Sequence, residues 1–178
     1  EAAAESEAAQ PAAAPAAQPA TAPEAQTALA PPAGLRYFPD APGGLFLPAR
    51  GSVQAAYGAP LPDSGEASKG LLIETRPGAQ IVVTFDGRVV YAGAFRCYGL
   101  ILILEHGGRY HSLLAGLGRI DVVLGQWVVA GEPVGLMASP ANAAPALYIE
   151  LRHNGQPIDP TPWFGNQLSQ GPSSKGEG

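Results

Sequence analysis

Short apolar runs recur along the middle of the chain, separated by clusters of Gly, Pro, Asp and Asn. Runs and punctuation of this kind are typical of strands joined by tight turns. No window of about 11 residues shows a persuasive helical period. The pattern predicts strands at residues 52–56, 70–74, 80–85, 87–94, 100–106, 109–114, 127–129, 133–137 and 146–152.

Two of these segments refine the prediction. Asp86-Gly87 is the strongest turn signal, because both residues tolerate the positive φ of a tight hairpin. Residues 100–104 form an uninterrupted apolar run, which is expected of a central strand buried on both faces. The chain is therefore predicted to be mainly β, an antiparallel sandwich with its apolar side chains between two sheets.

The two ends of the chain differ from this middle part. Residues 1–33 contain 22 Ala or Pro residues and neither Lys nor Arg. Such a segment cannot bury enough apolar surface to offset its ordering entropy, so it is predicted to be a disordered linker. Residues 167–178 are rich in Gly, Ser and Gln and are predicted to be a disordered tail. The folded domain is expected at residues 34–166.

Charge and hydropathy exclude several classes of partner. The linker holds four of the 15 acidic residues and none of the ten basic ones, so residues 34–178 are close to neutral. Without a basic field, nucleic acid is not an expected partner. No apolar run reaches about 18 residues, so no transmembrane segment is predicted. Glu1 opens directly into low complexity without a signal peptide, which suggests the C-terminal piece of a longer protein.

Three stretches carry the candidate chemistry, namely residues 68–72, 110–117 and 147–152. With the Asp86-Gly87 turn, the Glu105-His106-Gly107-Gly108 segment and the closing run at residues 159–163, they resemble the LytM (lysostaphin-type) peptidoglycan endopeptidases. Active members of that family read His-x-Gly-x-Asp, then Tyr-Ala-His-Leu, then Leu-His-Phe-Glu. The resemblance implies a duplicated-hybrid-motif-like antiparallel β sandwich with a cleft.

The resemblance places the metal-ligand positions of that family on Ser68, Leu72, Gly116 and Tyr148. Catalytic zinc needs about three N, O or S side-chain ligands and a water position. Leu72 and Gly116 have no donor atom, and Ser68 and Tyr148 are poor donors for this metal. The chain is therefore predicted to be a pseudoenzyme with no catalytic residue, no metal and no cofactor.

Two alternatives to this interpretation stay open. A rewired zinc site could use His106, His111 and Glu150, since His and carboxylate are proper zinc ligands, and the chain would then be an active zinc endopeptidase. The glycine-spaced run at residues 125–135 is also seen in biotinyl- and lipoyl-carrier domains. The lysines of this chain, Lys69 and Lys175, lie away from the clearest hairpin tip, so no carrier modification is expected.

The replacement residues resemble those of the EnvC-type murein hydrolase activators, degenerate LytM proteins of Gram-negative cell division. The matching segments are Ser68-Lys69-Gly70, Tyr98-Gly99-Leu100, Glu105-His106-Gly107 and Leu147-Tyr148-Ile149-Glu150-Leu151-Arg152. The resemblance implies a periplasmic protein whose LytM domain binds a zinc N-acetylmuramyl-L-alanine amidase and relieves its autoinhibition.

The predicted partner-binding cleft consists of Lys69, Tyr98, Tyr148, Glu150 and Arg152. Tyr and Arg are typical of protein-binding hot spots, because they offer contact area, hydrogen bonds and a fixed guanidinium fork. Glu150 is expected to pair with a nearby cation. The alternative is a peptidoglycan-binding, wall-anchoring module in which Tyr98 or Tyr148 stacks on sugar rings.

Overall fold

The computed structural model describes residues 33–36, 38 and 43–169, without the side chains of Cys97 and Ser169. All strand pairings in this part are antiparallel, which confirms the predicted mainly-β antiparallel fold. The strands are β1 (Gly51–Ala55), β2 (Leu71–Thr75), β3 (Gln80–Val82), β4 (Gly87–Ala94), β5 (Leu100–Gly107), β6 (Tyr110–Ile120), β7 (Trp127–Val128), β8 (Pro133–Met137), β9 (Ala146–His153) and β10 (Gln156–Ile158).

The ten strands form one hydrogen-bonded sheet in the order β1-β2-β9-β6-β5-β4-β7, with β10 on β9 and β8 joining β3 to β6. Within the described residues β1 and β7 do not pair, so the sheet is not closed into a barrel. Ile81 of β3 and Val134 of β8 share one core with Ile73 and Leu147 of the main path. The sheet therefore folds over and encloses apolar side chains between its two parts.

Strand β6 makes this folding possible. Its first part pairs with β5 and β9, whereas the residues from Leu117 onward pair with β8. The change falls at Gly116, where φ is +96° and the register with β5 shifts. Positive φ is readily adopted only by glycine, so this residue allows a bulge that redirects the strand.

Alternation along β9 separates two faces of the sheet. Leu147, Ile149 and Leu151 are buried in the core, and Tyr148 and Arg152 are half-buried on the opposite side. Successive side chains of a strand point to opposite faces, so Glu150 shares the side of Tyr148 and Arg152. We call this side the open face, defined by Tyr148, Glu150 and Arg152 with their β6 partners Ala115, Leu113 and His111.

The observed bounds differ from the predicted ones mainly at three places, and the burial of one strand differs as well. β3 ends at Val82, and β6 continues to Ile120 instead of ending at residue 114. β10 was not predicted, because the polar turn before it was interpreted as the end of the strand region. β5 was expected to be buried on both faces, but Leu100 and Ile103 are only half-buried.

Helical structure in the described residues is limited to α1 (Thr161–Phe164) and to 3-10 helices at Arg96–Tyr98 and Gly165–Ser169. The Gln167 side chain donates to the Leu45 carbonyl at 2.7 Å and accepts from the Leu47 N–H at 3.1 Å. The first residues of the predicted disordered tail are therefore ordered by these contacts. Residues 170–178 of that tail and residues 1–32 of the predicted linker lie outside the described residues. No helix in the described part has the length and apolarity needed to cross a bilayer.

Candidate functional site

Tyr148, Glu150 and Arg152 form a hydrogen-bonded row on the open face. The Tyr148 hydroxyl donates to Glu150 Oε2 at 2.8 Å, and Arg152 Nε donates to Glu150 Oε1. The Glu150 side chain is only 6% exposed, and each of its oxygens has a donor. A buried carboxylate is stable when it is paired in this way, and the pairing fixes the positions of its two neighbours. The expected pairing of Glu150 with a cation is confirmed.

Arg152 retains binding capacity beyond this ion pair. Its side chain is 43% exposed, and apart from Nε its guanidinium makes no hydrogen bond to the described residues. A guanidinium group has five N–H donors in a fixed fork that matches a carboxylate. The outer nitrogens of Arg152 are therefore free to bind an acidic group of a partner.

Tyr148 is held as a neutral donor. Burial raises the pKa of its hydroxyl above the ordinary value of 10, and the hydrogen bond to the Glu150 carboxylate raises it further. A Cβ added at Gly99, the residue after Tyr98, would lie 4.0 Å from Gly116 Cα, so the segment that carries Tyr98 approaches the β6 bulge next to Ala115, the partner of Tyr148. The Tyr98 side chain is 62% exposed at the tip of the β4–β5 connection, 6.4 Å from the Phe95 ring. Phe95 and Tyr98 therefore form a small exposed aromatic cluster on this connection.

Lys69 lies two residues before β2, the strand that flanks β9. It is exposed and makes no hydrogen bond or ion pair within the described part of the chain. The structure places four of the five predicted binding residues on β9 or just before the neighbouring β2, whereas Tyr98 lies on the β4–β5 connection, with β6 between β5 and β9. Their use as a binding surface stays a prediction.

Three of the four positions that correspond to metal ligands meet on the open side of the sheet. Leu72 of β2 pairs directly with Tyr148, and Gly116 follows Ala115, the β6 partner of Tyr148. Ser68 is buried, and its hydroxyl donates to the Gly70 carbonyl at 2.9 Å. Its oxygen is therefore engaged within its own turn, and the four residues provide no set of metal donors.

Gly116 has no room for a side chain. A Cβ added there would lie 2.4 Å from the Ala146 carbonyl oxygen, and this contact is with backbone rather than with a flexible side chain. The positive φ adds strain for any other residue. A histidine could not replace this glycine without a shift of the β9 backbone.

Gly116→Ala is therefore expected to lower the free energy of unfolding by about 2 kcal/mol or more, through the backbone clash and the strained φ. Urea unfolding of the purified chain measures this change. Gly93→Ala is the matched control, because the added Cβ has its nearest neighbour at 3.8 Å and φ is ordinary. Equal stability of the two variants would contradict the described geometry.

His106 belongs to the core rather than to the open face. It is 5% exposed, with Nδ1 2.9 Å from the Asp86 carbonyl and Nε2 2.7 Å from Ser112 Oγ. Because a carbonyl only accepts, Nδ1 carries the proton and Nε2 accepts from the Ser112 hydroxyl. His111 and Glu150 lie on the opposite side of the sheet, so the rewired zinc site is not assembled. Among the described residues, no group of three or more His, Cys, Asp or Glu could hold a metal ion.

Sequence reasoning missed a charged row across four strands. The residues at successive paired positions are Arg88 of β4, Glu105 of β5, His111 of β6 and Arg152 of β9. Arg88 Nη2 lies 3.2 Å from Glu105 Oε2. Alternating polar positions in each strand were the available signal, but strand order and register were needed to align them.

Neither of two cavities in the described part of the structure is lined by the Tyr148 row. One of about 360 Å³ borders the open face at Glu105, Arg109 and His111. The other, of about 710 Å³, lies at Arg50 and Arg76. The Tyr148 row itself lies outside both of these cavities.

Comparison with known proteins connects this site to one family. The model of Peptidase family M23 matches residues 66–160. The chain is 37% identical over 125 residues to the murein hydrolase activator EnvC of Escherichia coli K12, with coverage of 69% of this chain and 29% of EnvC. It is 36% identical over 114 residues to the murein hydrolase activator NlpD of the same organism, with coverage of 64% and 29%. It spans less than a third of these relatives.

Solved structures agree with this relationship. A peptidase M23 protein from Pseudomonas aeruginosa has a TM-score of 0.57 and 26% identity, with coverage of 73% of this chain and 55% of that chain. Lysostaphin has a TM-score of 0.54 and 25% identity, with coverage of 61% and 48%. Because the family model covers more than half of the sequence and the fold agrees, the chain belongs to peptidase family M23.

Proposed function

We propose that this chain is a non-catalytic M23 domain that activates a peptidoglycan hydrolase. The observation that carries the proposal is the content of the four metal-ligand positions. Leu72 has no donor atom, Gly116 has no room for one, and the Ser68 hydroxyl is bonded within its own turn. The similarity to proteins named murein hydrolase activators supports the same conclusion.

The proposed partner is a zinc N-acetylmuramyl-L-alanine amidase of the Gram-negative periplasm, acting in cell division. The basis is the resemblance of the replacement residues to the EnvC-type activators. The open face is suited to such a protein partner, because it combines a fixed Tyr148–Glu150–Arg152 row with an exposed Lys69 and an exposed Tyr98. Tyr and Arg side chains are enriched among the few residues that contribute most of the binding energy of protein interfaces.

Activation requires more than tight binding. A ligand shifts a conformational equilibrium only by the difference between its affinities for the two states. In this proposal, Arg152 and Lys69 bind carboxylates on a regulatory helix of the amidase, and Tyr98 contacts the apolar side of that helix. These contacts form only when the helix has left the amidase active site, so binding stabilises the open state.

The proposal predicts no hydrolysis and no stoichiometric zinc in the purified chain. Dye-labelled murein sacculi should release no dye with this protein alone, and release should rise when an amidase is added. Elemental analysis of the same preparation measures the zinc content. Stoichiometric zinc together with soluble muropeptides released by the chain alone would show an active endopeptidase instead.

A second candidate function is anchoring to the cell wall. The 62% exposed Tyr98 ring and the half-buried Tyr148 ring favour it, since aromatic faces can stack on sugars. Amidase activation ranks above it because the row presents a guanidinium fork suited to protein carboxylates. Co-sedimentation with purified sacculi separates the two. Strong retention without any stimulation of amidases would favour anchoring.

A further inference from the structure

A groove of about 710 Å³ lies apart from the open face, where the chain enters β1 and where β2 turns into β3. Its walls come from residues 46–51 on one side and from residues between 76 and 82 on the other. Binding sites for small ligands range from about 300 to 1,000 Å³, so a short peptide segment fits its volume.

Two arginines line this groove and face each other across a strand pair. Gly51 of β1 is the register partner of Thr75 of β2, so Arg50 and Arg76 flank the last paired position. Both are exposed, and neither side chain makes a hydrogen bond or ion pair with the described residues. Like charges at opposing positions raise the energy of a strand pair, and an anion between them would reverse this effect.

The surroundings do not supply that anion. None of the described residues that line the groove is Asp or Glu. Glu74, which precedes Thr75 in β2, forms no ion pair with Arg50 or Arg76. The groove is therefore positively charged in a chain of net charge −5, and it concentrates a field that attracts carboxylates.

Apolar surface adjoins the two guanidinium groups. The Phe46 side chain is 47% exposed and lines the groove with Leu47 and Pro77. A free oxyanion such as phosphate would use only the arginines. A peptide would contact both the arginines and the apolar surface. Its carboxylate would lie between the arginines, and an apolar side chain would pack against the Phe46 ring.

We infer that this groove binds an acidic peptide segment of a partner protein, with a carboxylate bridging Arg50 and Arg76. The site shares no residue with the open face. It is therefore independent of the proposed amidase contact and goes beyond it.

Calorimetric titration of the full chain tests the inference. The probe is a short capped peptide with two adjacent Glu residues and one Leu, compared with the same peptide carrying Gln. Arg50→Gln and Arg76→Gln should each weaken binding about tenfold, because each removes charged hydrogen bonds. Binding should also weaken as salt is raised. Arg119→Gln, a 63% exposed arginine paired with Asp121 outside the groove, should leave affinity unchanged.

Two further measurements make the outcome decisive. In ¹⁵N spectra of the full chain, the peptide should shift the amides of Gly51, Ala79 and Gln80. Shifts at Tyr148 instead, equal binding of the Gln peptide, or equally tight binding of inorganic phosphate would each overturn the inference. Arg76→Lys keeps the charge but loses the fork, so it should give an intermediate loss. Thermal melts verify that each exposed-site variant is folded.

Discussion

Replacing Arg152 by Ala, or Tyr148 by Ala, is expected to remove most of the amidase activation by this chain. Truncation of a central Arg or Tyr in a protein interface costs about 2 kcal/mol or more in binding. Arg152 is 43% exposed beside the buried Glu150, and Tyr148 holds the other oxygen of that carboxylate. Each substitution therefore removes a direct contact and loosens the row that positions the second residue. Amidase-dependent dye release from labelled sacculi measures the effect.

The control has to separate binding from folding. Arg152→Ala leaves Glu150 buried without its cation, which itself destabilises a folded protein by about 1–3 kcal/mol. Arg152→Lys keeps a positive charge for Glu150 but loses the planar fork, so it should retain stability and still lose activation. Tyr148→Phe removes only the hydroxyl hydrogen bond. Folded variants that activate as well as the unmodified chain would place the interface elsewhere.

The sequence was sufficient to predict the fold class and much of the candidate site. Strands β4 and β8 have the predicted bounds. The tight hairpin predicted at Asp86-Gly87 is wrong, because β3 pairs with β8 and β4 pairs with β5 and β7, and neither residue has a positive φ. Tyr148, Glu150 and Arg152 have a period of two, and this alone places them on one face of a strand. Local patterns therefore specify strands and the faces on which their side chains lie.

What the sequence did not reveal depends on pairing between distant segments. The continuation of β6 beyond the predicted end depends on a bulge at Gly116, which in sequence looks like a terminating glycine. The alignment of Glu105 with His111 needed the strand order and register. Arg50 and Arg76 are 26 residues apart in the sequence, and only the pairing of β1 with β2 brings them to one groove.

Acidification from pH 6.5 to pH 4 is expected to lower the free energy of unfolding by about 3 kcal/mol through His106. Its burial lowers the pKa of the imidazole from 6.5 to about 4, and the hydrogen bond to the Asp86 carbonyl only partly offsets this. Between these two pH values the unfolded chain binds a proton at this residue and the folded chain does not. Stability therefore rises with pH across this window, by about 1.4 kcal/mol for each unit of pKa difference.

The Asp86 carboxyl affects stability in a different pH range, so its contribution can be distinguished from that of His106. Burial raises the pKa of its carboxyl, but hydrogen bonds from the Arg36 side chain and from the backbone N–H groups of Ala130 and Arg36 outweigh this and lower it to about 2. A depressed carboxyl pKa stabilises the fold above the unfolded value near 3.8, and this contribution is lost only as the pH falls toward 2. Loss of stability above pH 4 therefore does not come from Asp86.

Urea unfolding at intervals between pH 4 and pH 8 measures the His106 effect. His106→Gln is the matched control, because it removes the titrating group while His111 and His153 remain. The variant should be less stable at pH 7, since Gln cannot reproduce both hydrogen bonds of a buried imidazole to Asp86 and Ser112. Its stability should change little between pH 6.5 and pH 4, whereas that of the unmodified chain falls. The same slope in both proteins would show that the acid sensitivity arises elsewhere, and that His106 is not held neutral by its burial beneath Phe38 and Phe85.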